Sequence, residues 1–366
     1  MPVSGLRLFF SQLHSMSQHP AFTHTILQWF AENGRALPWR ETHNPYAIWL
    51  SEIILQQTRI NQGWEYWERF MRQYPTVESL AAASEDDVLK LWQGLGYYSR
   101  ARNLHTAARQ IVELGRFPDT LEGIKRLKGV GDYTAAAIGS IAFGLPAAVV
   151  DGNVYRVLAR YFGISTPINT TRGKKEFAAL AQSLLPEKKA SAYNQGMMDF
   201  GALQCTPQSP RCLLCPLSAG CAALATGQVE LLPVKEKTVK VRTRHLTYVY
   251  IRCQGKVAIR RRGKGDIWQG LWEPFNTSLH EENANATPPE ILSMLQMGGD
   301  QAVLTPVAMQ VKHVLTHRIL LADFYLLEAE TRPVLPDEYE WIDEDRWEEY
   351  GVPRLIELLV ERLHAK

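Results

Sequence analysis

Two helical stretches of the chain meet at one octapeptide, Leu127-Lys128-Gly129-Val130-Gly131-Asp132-Tyr133-Thr134. Glycine tolerates the left-handed backbone of a tight turn, so Gly129 and Gly131 predict a hairpin between two helices. Amides at the start of the second helix can then point at one phosphate oxygen, with the charge of Lys128 beside them. Two glycines in a turn are common, however, and taken alone they favour an ordinary helical corner without a ligand.

Helical patterns extend on both sides of this hairpin, over residues 22–228. In the segment 104–114, apolar side chains recur with the 3.6-residue period of one helical face. Proline or glycine separates most of these stretches. We expect helices at residues 22–32, 46–60, 64–73, 85–93, 132–143, 153–162, 173–184 and 190–202.

Beyond residue 228 the pattern changes. Residues 229–245 hold five basic and two acidic side chains, which is typical of an exposed basic linker. Runs rich in β-branched and aromatic residues then predict a second, strand-containing region. Its expected strands are 246–252, 256–260 and 319–327, and its expected helices are 288–297 and 353–364.

The expected architecture is therefore a mostly α region followed by a separate α+β domain. A loose tail occupies residues 1–20, the helical region residues 21–228, the basic linker residues 229–245 and the α+β domain residues 246–366. At about 100–200 residues per domain, a chain of 366 residues agrees with two or three domains.

The overall composition limits the class of protein. Hydrophobic residues make up 46% of the chain, which excludes global disorder. The net charge of +2 argues against a histone-like blanket of positive charge, but it permits a local basic stripe for nucleic acid. No stretch is apolar enough to span a bilayer and the first twenty residues lack a signal-peptide core, so we expect a bacterial cytoplasmic protein.

Four of the five cysteines cluster at positions 205, 212, 215 and 221. Disulfide scaffolds spread their cysteines through short secreted chains, whereas clustered cysteines in a long reduced chain predict a metal site. Thiolates are soft ligands that suit zinc or an iron–sulfur cluster. The spacing leaves both open, with no metal as a minor third possibility.

Glu52 lies in a predicted helix among apolar neighbours. Three of the four side chains at three and four positions from it are apolar. A carboxyl group in such surroundings has a raised pKa and can act as a general acid near neutral pH. The alternative is a buried glutamate paired with an arginine, such as Arg40 or Arg59, and the pattern alone does not separate the two.

A second carboxylate, Asp151, opens a predicted helix directly after the apolar run 147–150. Aspartate before a helix accepts a backbone N–H bond, so a simple N-cap is the favoured interpretation of this residue alone. The cap is compatible with a functional role, because N-cap hydrogen bonds keep a carboxylate ionised.

Together, the hairpin, Asp151 and the cysteine loop resemble the helix–hairpin–helix DNA glycosylases that carry an iron–sulfur cluster. Four further segments are similar to the adenine DNA glycosylase (MutY) family within that superfamily. They are Leu37–Arg40, Trp49–Thr58, Gly94–Leu104 and Val150–Arg160.

The resemblance is close over residues 22–228 and looser beyond. It implies two helical lobes, one of residues 38–145 and one of residues 21–37 with 146–228. It also favours a [4Fe-4S] cluster over zinc as the cofactor. The implied metal ligands are Cys205, Cys212, Cys215 and Cys221.

The family's activity is hydrolysis of the N-glycosidic bond of adenine mispaired with 8-oxoguanine or guanine in duplex DNA. By resemblance, Glu52 protonates adenine at N7 and Asp151 stabilises the sugar cation, while Tyr133 and Asn153 are polar helpers. A base inside duplex DNA is inaccessible, so it must first be turned out of the stack. The implied DNA and base contacts are Arg40, Gln57, Tyr97, Lys128, Gly129, Gly131 and Gln195.

The α+β domain resembles the family's MutT-like (Nudix) module. Its segment 270–275 has Pro before Phe, the reverse of the usual order, and residues 270–300 lack the Arg-Glu and Glu-Glu array that holds Mg²⁺ in Nudix hydrolases. We therefore expect it to bind rather than hydrolyse. The family reads 8-oxoguanine with a Phe-Ser-His turn, which matches Leu315-Thr316-His317 here. Thr316 keeps the hydroxyl, Leu315 cannot replace the aromatic ring, and a lone surface histidine remains the alternative for His317.

Three other functions compete. An endonuclease III-like lyase needs a lysine amine for a Schiff base, and Tyr133 stands at that position. A non-catalytic DNA-binding protein would not need both Glu52 and Asp151, and a nucleotide pyrophosphatase would need the missing Nudix array. The expected partner is duplex DNA with an A:8-oxoguanine or A:G mispair, bound by a monomer.

Overall fold

The computed structural model describes residues 20–236, 241–277, 286–298 and 302–365. The expected loose tail at residues 1–20 lies outside these residues except for Pro20, where the first helix begins. Contacts between Cα atoms divide the chain into two compact units, which are Met1–Ala81 with Thr106–Lys237, and Ala82–His105 with Thr238–Lys366. None of the helices in the described part combines the length and apolar content that a membrane span requires.

Helices dominate the described chain from residue 20 to residue 225. In chain order they are α1 (Pro20–Asn33), α2 (Pro45–Ile54), α3 (Ile60–Gln73), α4 (Val77–Ala82), α5 (Glu85–Trp92), α6 (Ser99–Glu113), α7 (Leu121–Lys125), α8 (Asp132–Phe143), α9 (Gly152–Phe162), α10 (Thr171–Leu184), α11 (Ala190–Leu203) and α12 (Ala222–Ala225). A single 3₁₀ turn, Pro38–Arg40, precedes α2.

Side-chain caps set several of these helix starts. Asn44 accepts a hydrogen bond from the Tyr46 amide at 3.0 Å, and Pro45 occupies the first helical position of α2. Asp151 caps α9 and Thr170 caps α10 in the same way. These caps fix where the polypeptide enters each helix and therefore where the functional side chains lie.

The prediction of a single helix over residues 46–60 is wrong. Helix α2 ends at Ile54 and α3 begins at Ile60. Between them Gln57 has a φ of 62°, a left-handed conformation that no α-helix can contain. No glycine or proline marks this break, so the sequence pattern could not reveal it.

The hairpin at 127–134 forms between α7 and α8. Gly129 has a φ of 78°, in the left-handed region that favours glycine. Gly131 is the N-cap of α8 with extended backbone, φ −96° and ψ −177°, so its conformation does not itself require glycine. The backbone conformation therefore favours glycine at position 129 but not at position 131.

The core of the helical unit lies where α11 packs against α1 and α9. Phe22 and Ile26 of α1 are buried there with apolar side chains from α9, α10 and α11. A smaller cluster under α8 contains Ala136, Ala137, Ala147 and Val149. This second cluster holds the segment that leads into Asp151.

In its described residues, the second unit contains a seven-stranded mixed sheet. Its strands are β1 (Arg242–Cys253), β2 (Lys256–Arg261), β3 (Trp272–Glu273), β4 (Phe275–Asn276), β5 (Ala302–Val314), β6 (Arg318–Ala329) and β7 (Tyr339–Asp343). The order is β3-β2-β1-β6-β5, with β4 paired to β1 and β7 to β2. The helices α13 (Pro288–Met294) and α14 (Arg354–His364) complete the described part of this unit.

Two features of this unit differ from expectation. Strand β1 begins at Arg242, inside the segment interpreted as a linker, because residues 242–245 pair in parallel register with residues 318–321 of β6. Strands β5 and β7 are not among the expected strands, and the longer of them is β5. It lies at the sheet edge, contains Pro306 and two register shifts, and so lacks the alternation that identifies a strand.

Candidate active site

A cavity of about 630 Å³ opens in the helical unit. Its walls come from the Pro38–Arg40 turn, α2, α8, the start of α9, and α11. Six of the residues expected from the sequence line it: Arg40, Glu52, Tyr133, Asp151, Asn153 and Gln195. Arg40 and Gln195, which are 155 positions apart in the chain, thus line the same cavity.

Glu52 is the most deeply placed carboxyl group of this cavity, with 7% of its surface exposed. The Tyr133 hydroxyl donates a hydrogen bond to its Oε2 at 2.9 Å. Burial raises the pKa of Glu52 to about 7, with the Asp151 charge adding to the rise, and the Tyr133 bond and the Arg40 charge opposing it. The carboxyl group therefore holds a proton in the range where a general acid is useful.

The alternative in which Glu52 pairs with an arginine does not hold. Among the described residues, no arginine forms an ion pair with it. Arg40 instead binds Asp199 of α11, with 2.7 Å between Nη1 and Oδ2.

Asp151 caps α9, as its sequence position indicated. Its Oδ1 accepts the Val154 amide at 2.7 Å, and its Oδ2 accepts Nδ2 of Asn153 at 2.8 Å. Burial raises the pKa of Asp151, while these hydrogen bonds and the charge of Arg156 partly offset the rise. The cap and the position in the cavity coexist in one residue.

Arg156, which the sequence reasoning missed, connects this carboxylate to the cysteine loop. Its Nη2 donates to Oδ1 of Asn153 at 2.8 Å, and its Nε donates to the Cys205 carbonyl at 2.7 Å. Arg156 and Arg160 lie one turn apart on α9, and both are buried. The sequence signal that could have identified them is a pair of arginines four positions apart, on a helix face with buried apolar residues.

The four clustered cysteines line one pocket together with Arg160. The Arg160 guanidinium donates to the sulfur of Cys205 at 3.4 Å and to the carbonyls of Thr206 and Pro207. Burial raises the pKa of Cys215 to about 11, and the other thiols add to the rise. Within the described residues, no group of three or more Cys, His, Asp or Glu side chains is arranged to hold a single metal ion. Cys253 is buried in β1 of the other unit.

Tyr133 is the hairpin residue that lines the cavity, whereas Lys128, Gly129 and Gly131 are not among its lining residues. Lys128, Gly129 and Gly131 are exposed at the surface. The Lys128 amide donates to Oε1 of Gln110 at 2.7 Å. A Cβ atom added to Gly131 would meet no atom within 4 Å, so the protein leaves open space in front of the first turn of α8.

Gln57 and Tyr97 each have a strained backbone conformation. Both are exposed non-glycine residues in the left-handed region, with φ of 62° and 47°. Such conformations cost about 1–3 kcal/mol each and often mark functional positions. Tyr97 is 49% exposed whereas Tyr98 is 5% exposed, so Tyr98 is the core aromatic residue of the pair.

In the second unit, the turn Leu315-Thr316-His317, which is expected to read 8-oxoguanine, lies beside Tyr97. The Tyr97 hydroxyl is hydrogen-bonded to Oγ1 of Thr316. Both residues line a cavity of about 470 Å³ with Trp268 and His317. Gln195, by contrast, lies in the first cavity and donates to Oγ of Ser191 at 3.0 Å.

Comparisons with known proteins agree with this geometry. Residues 50–187 match the family described as the HhH-GPD superfamily base excision DNA repair protein, and residues 247–362 match the NUDIX domain. The adenine DNA glycosylase of Buchnera aphidicola subsp. Acyrthosiphon pisum is 35% identical over 254 residues, which are 69% of this chain and 73% of that protein. The human adenine DNA glycosylase is 41% identical over 232 residues, 60% of this chain and 42% of that protein.

A solved structure extends the comparison. A thermostable thymine-DNA glycosylase superposes with a TM-score of 0.54 at 34% identity, covering 58% of this chain and 98% of that one. The expected fold, a helix–hairpin–helix glycosylase region followed by a Nudix-like domain, is therefore confirmed. The chain belongs to the adenine DNA glycosylase family of base-excision DNA repair enzymes.

Proposed function

We propose that this enzyme, acting as a monomer, hydrolyses the N-glycosidic bond of adenine mispaired with 8-oxoguanine or guanine in duplex DNA. The observation that carries the proposal is that buried Glu52 and helix-capping Asp151 line the same cavity. A cavity of about 630 Å³ has room for a base turned out of the helix.

Glu52 acts as the general acid. Adenine leaves poorly as an anion, and a proton delivered to N7 makes it a neutral leaving group. A positioned acid of this kind contributes about 10²–10⁴-fold to the rate. The Tyr133 hydroxyl holds Oε2 of Glu52, which leaves the other carboxyl oxygen free to face the base.

Asp151 acts on the sugar. As adenine departs, the deoxyribose gains oxocarbenium character, and an ionised carboxylate stabilises that charge or attacks it covalently. The Val154 amide, Asn153 and Arg156 all favour the ionised form of Asp151. Two carboxyl groups in different surroundings can therefore hold opposite protonation states at one pH.

The enzyme leaves the DNA strand intact. A lyase needs a lysine amine in the site to form a Schiff base with the sugar. Tyr133 occupies that position, and its hydroxyl is committed to Glu52. The expected product is an abasic strand that borohydride does not trap on the protein.

The four cysteines suit a [4Fe-4S] cluster. Four thiols face one pocket, and burial of Cys215 disfavours its thiolate unless a positive centre compensates. Cys205, Cys212, Cys215 and Cys221 would hold such a cluster, and their bonds to iron would link the four loop positions covalently. Arg160 then supports the Cys205 sulfur, and Arg156 links the Cys205 backbone to Asn153 and Asp151. Stoichiometric zinc without iron in purified protein would contradict this assignment.

Thr316 and His317 read the base opposite the adenine. Support comes from their exposure and from the bond between Thr316 and Tyr97, which is one of the residues expected to contact the DNA. Nudix hydrolysis is disfavoured because Glu273 is fully buried and accepts hydrogen bonds from Arg260, Arg262 and Asn276. A carboxylate so occupied is not available for Mg²⁺.

Thymine is a second candidate base, because the superposed solved structure is a thymine-DNA glycosylase. Thymine has no N7, so the role assigned to Glu52 fits adenine better. Single-turnover excision from matched duplexes decides between them. We expect the enzyme to release adenine when 8-oxoguanine or guanine is the opposite base. When thymine is the opposite base, we expect little release of adenine. Release of thymine from a thymine–guanine pair, with adenine untouched, would overturn the proposal.

A further inference from the structure

Asp199 is a buried carboxylate that the mechanism above does not use. It belongs to α11, its side chain is 0% exposed, and two arginines surround it. Arg40 donates from Nη1 to Oδ2 at 2.7 Å and from Nη2 to Oδ1 at 2.9 Å. Arg35 adds its amide to Oδ2 and its Nε to Oδ1, both at 3.0 Å. Burial raises the pKa of Asp199, but these bonds outweigh it and hold the pKa below the usual value.

Arg40 is fixed by more than this pair. Its Nη1 also donates to the Arg35 carbonyl at 3.0 Å, and its guanidinium lies over the Phe30 ring at 5.4 Å. Its side chain is 13% exposed. The bidentate pair with Asp199 therefore fixes the direction of the guanidinium of a residue that lines the cavity.

That direction matters because Glu52 lies in the same cavity. A free guanidinium pairs readily with a carboxylate in a fork-like geometry and favours its charged form. Arg40 is already the cation whose charge lowers the pKa of Glu52. A closer approach would remove the proton that Glu52 has to deliver.

We propose that Asp199 is a positioning residue for base excision: it holds Arg40 in an ion pair away from Glu52, and so keeps Glu52 protonated. The inference rests on the proposed function, since it concerns the acid assigned there. Asp199 itself is not among the residues that line the cavity holding Glu52.

Other charged and titratable groups also face Glu52. Tyr133 of α8 donates to it, and Asp151 at the start of α9 raises its pKa. Arg35, Arg59 and Arg156 line the same cavity. Of these groups, only Arg35 also loses its ion pair in an Asp199 variant, so an Arg35 variant is needed to separate its contribution from that of Arg40.

The test is the pH dependence of single-turnover adenine release by the full chain, with Asp199→Asn as the isosteric variant. Glu52 acts when protonated, so the wild-type rate falls as pH rises through about 7. In Asp199→Asn the fall should begin at lower pH. A displacement of one pH unit lowers the rate above the transition about tenfold and leaves the rate well below it nearly unchanged.

Two companion variants keep the test decisive. Arg40→Gln should move the fall to higher pH, alone and in combination with Asp199→Asn, because the cation whose charge lowers the pKa of Glu52 is gone. Arg35→Gln is the matched control, since Asp199 keeps Arg40, and the fall should stay at its wild-type pH. A purely structural Asp199 would lower the rate equally at every pH.

Three results separate the possible failures. If wild-type protein releases no adenine, or Glu52→Gln releases it normally, the proposed function fails. If the wild type is active and Glu52-dependent but folded Asp199→Asn keeps the wild-type pH profile, only the role of Asp199 fails. If Asp199→Asn does not fold, an unchanged profile in Arg40→Gln overturns the role just as well.

Discussion

The cavity of the helical unit and the Thr316–His317 turn of the second unit are built on opposite principles. In the cavity, Glu52 and Asp151 are each held by hydrogen bonds from identified donors. In the turn, Thr316 and His317 are exposed, and Thr316 is held by the Tyr97 hydroxyl. The difference follows from what each has to do. Proton delivery needs desolvated groups with shifted pKa values, whereas reading a base needs polar groups that DNA can reach.

The largest effect is expected at Glu52. Glu52→Gln keeps the shape of the side chain and the Tyr133 bond but cannot donate an acidic proton. Single-turnover adenine release should fall by about 10²–10⁴-fold, with duplex affinity largely retained. Glu32→Gln, at an exposed glutamate of α1, is the control and should behave as wild type. A near-normal rate in Glu52→Gln would remove this residue from the chemistry.

Asp151 has two roles that a pair of variants separates. Asp151→Asn and Asp151→Ala should both stop base release, because neither opposes the sugar cation. Asparagine can still cap α9, so Asp151→Ala should lose about 0.5–2 kcal/mol more unfolding free energy than Asp151→Asn. Thermal unfolding and excision are measured on the same preparations. Normal excision by Asp151→Asn would reduce the residue to a helix cap.

Changes in the exposed turn should alter selectivity rather than chemistry. The double variant Thr316→Ala, His317→Ala should lose its preference for 8-oxoguanine over guanine, at about 1–3 kcal/mol for each lost contact. Its rate under saturating single-turnover conditions should stay close to wild type, since Glu52 and Asp151 are unchanged. Thr305→Ala, on exposed β5, is the matched control. Undiminished discrimination by the double variant would place the reader elsewhere.

The smallest effects are expected at the hairpin, where two glycines differ. Gly129→Ala puts a Cβ atom on left-handed backbone and should cost about 1–2 kcal/mol of stability. Gly131→Ala meets open space and should fold normally, but its methyl group stands where a phosphate is expected to approach the α8 amides. Duplex affinity should fall a few-fold in Gly131→Ala with no change in melting temperature. If affinity is unaffected, the hairpin is a corner without a ligand.

Local pattern predicted much of the catalytic region. The apolar neighbours of Glu52 anticipated its burial and raised pKa, and the position of Asp151 before α9 anticipated its cap. Both features depend on residues within four positions in the chain. Asp199 could not be found this way, because its partner Arg40 is 159 residues away and only folding brings them together.

The missed backbone features have a similar cause. The break at Gln57 has no glycine or proline, so strain imposed by the surrounding structure rather than local preference ends α2. Strand β5 is identified by its pairing with β6, which the sequence of β5 does not reveal. The network from Asp151 through Asn153 and Arg156 to Cys205 likewise joins segments that are distant in the chain.

The most direct measurement of the central claim is the wild-type rate of adenine release, under single-turnover conditions, from about pH 5 to about pH 9. If buried Glu52 supplies the proton, the rate falls as pH rises through about 7, because the raised pKa places its deprotonation there. Above that point the rate should drop about tenfold for each pH unit. A rate that stays constant or rises across this range would contradict the claim that a protonated Glu52 drives base release.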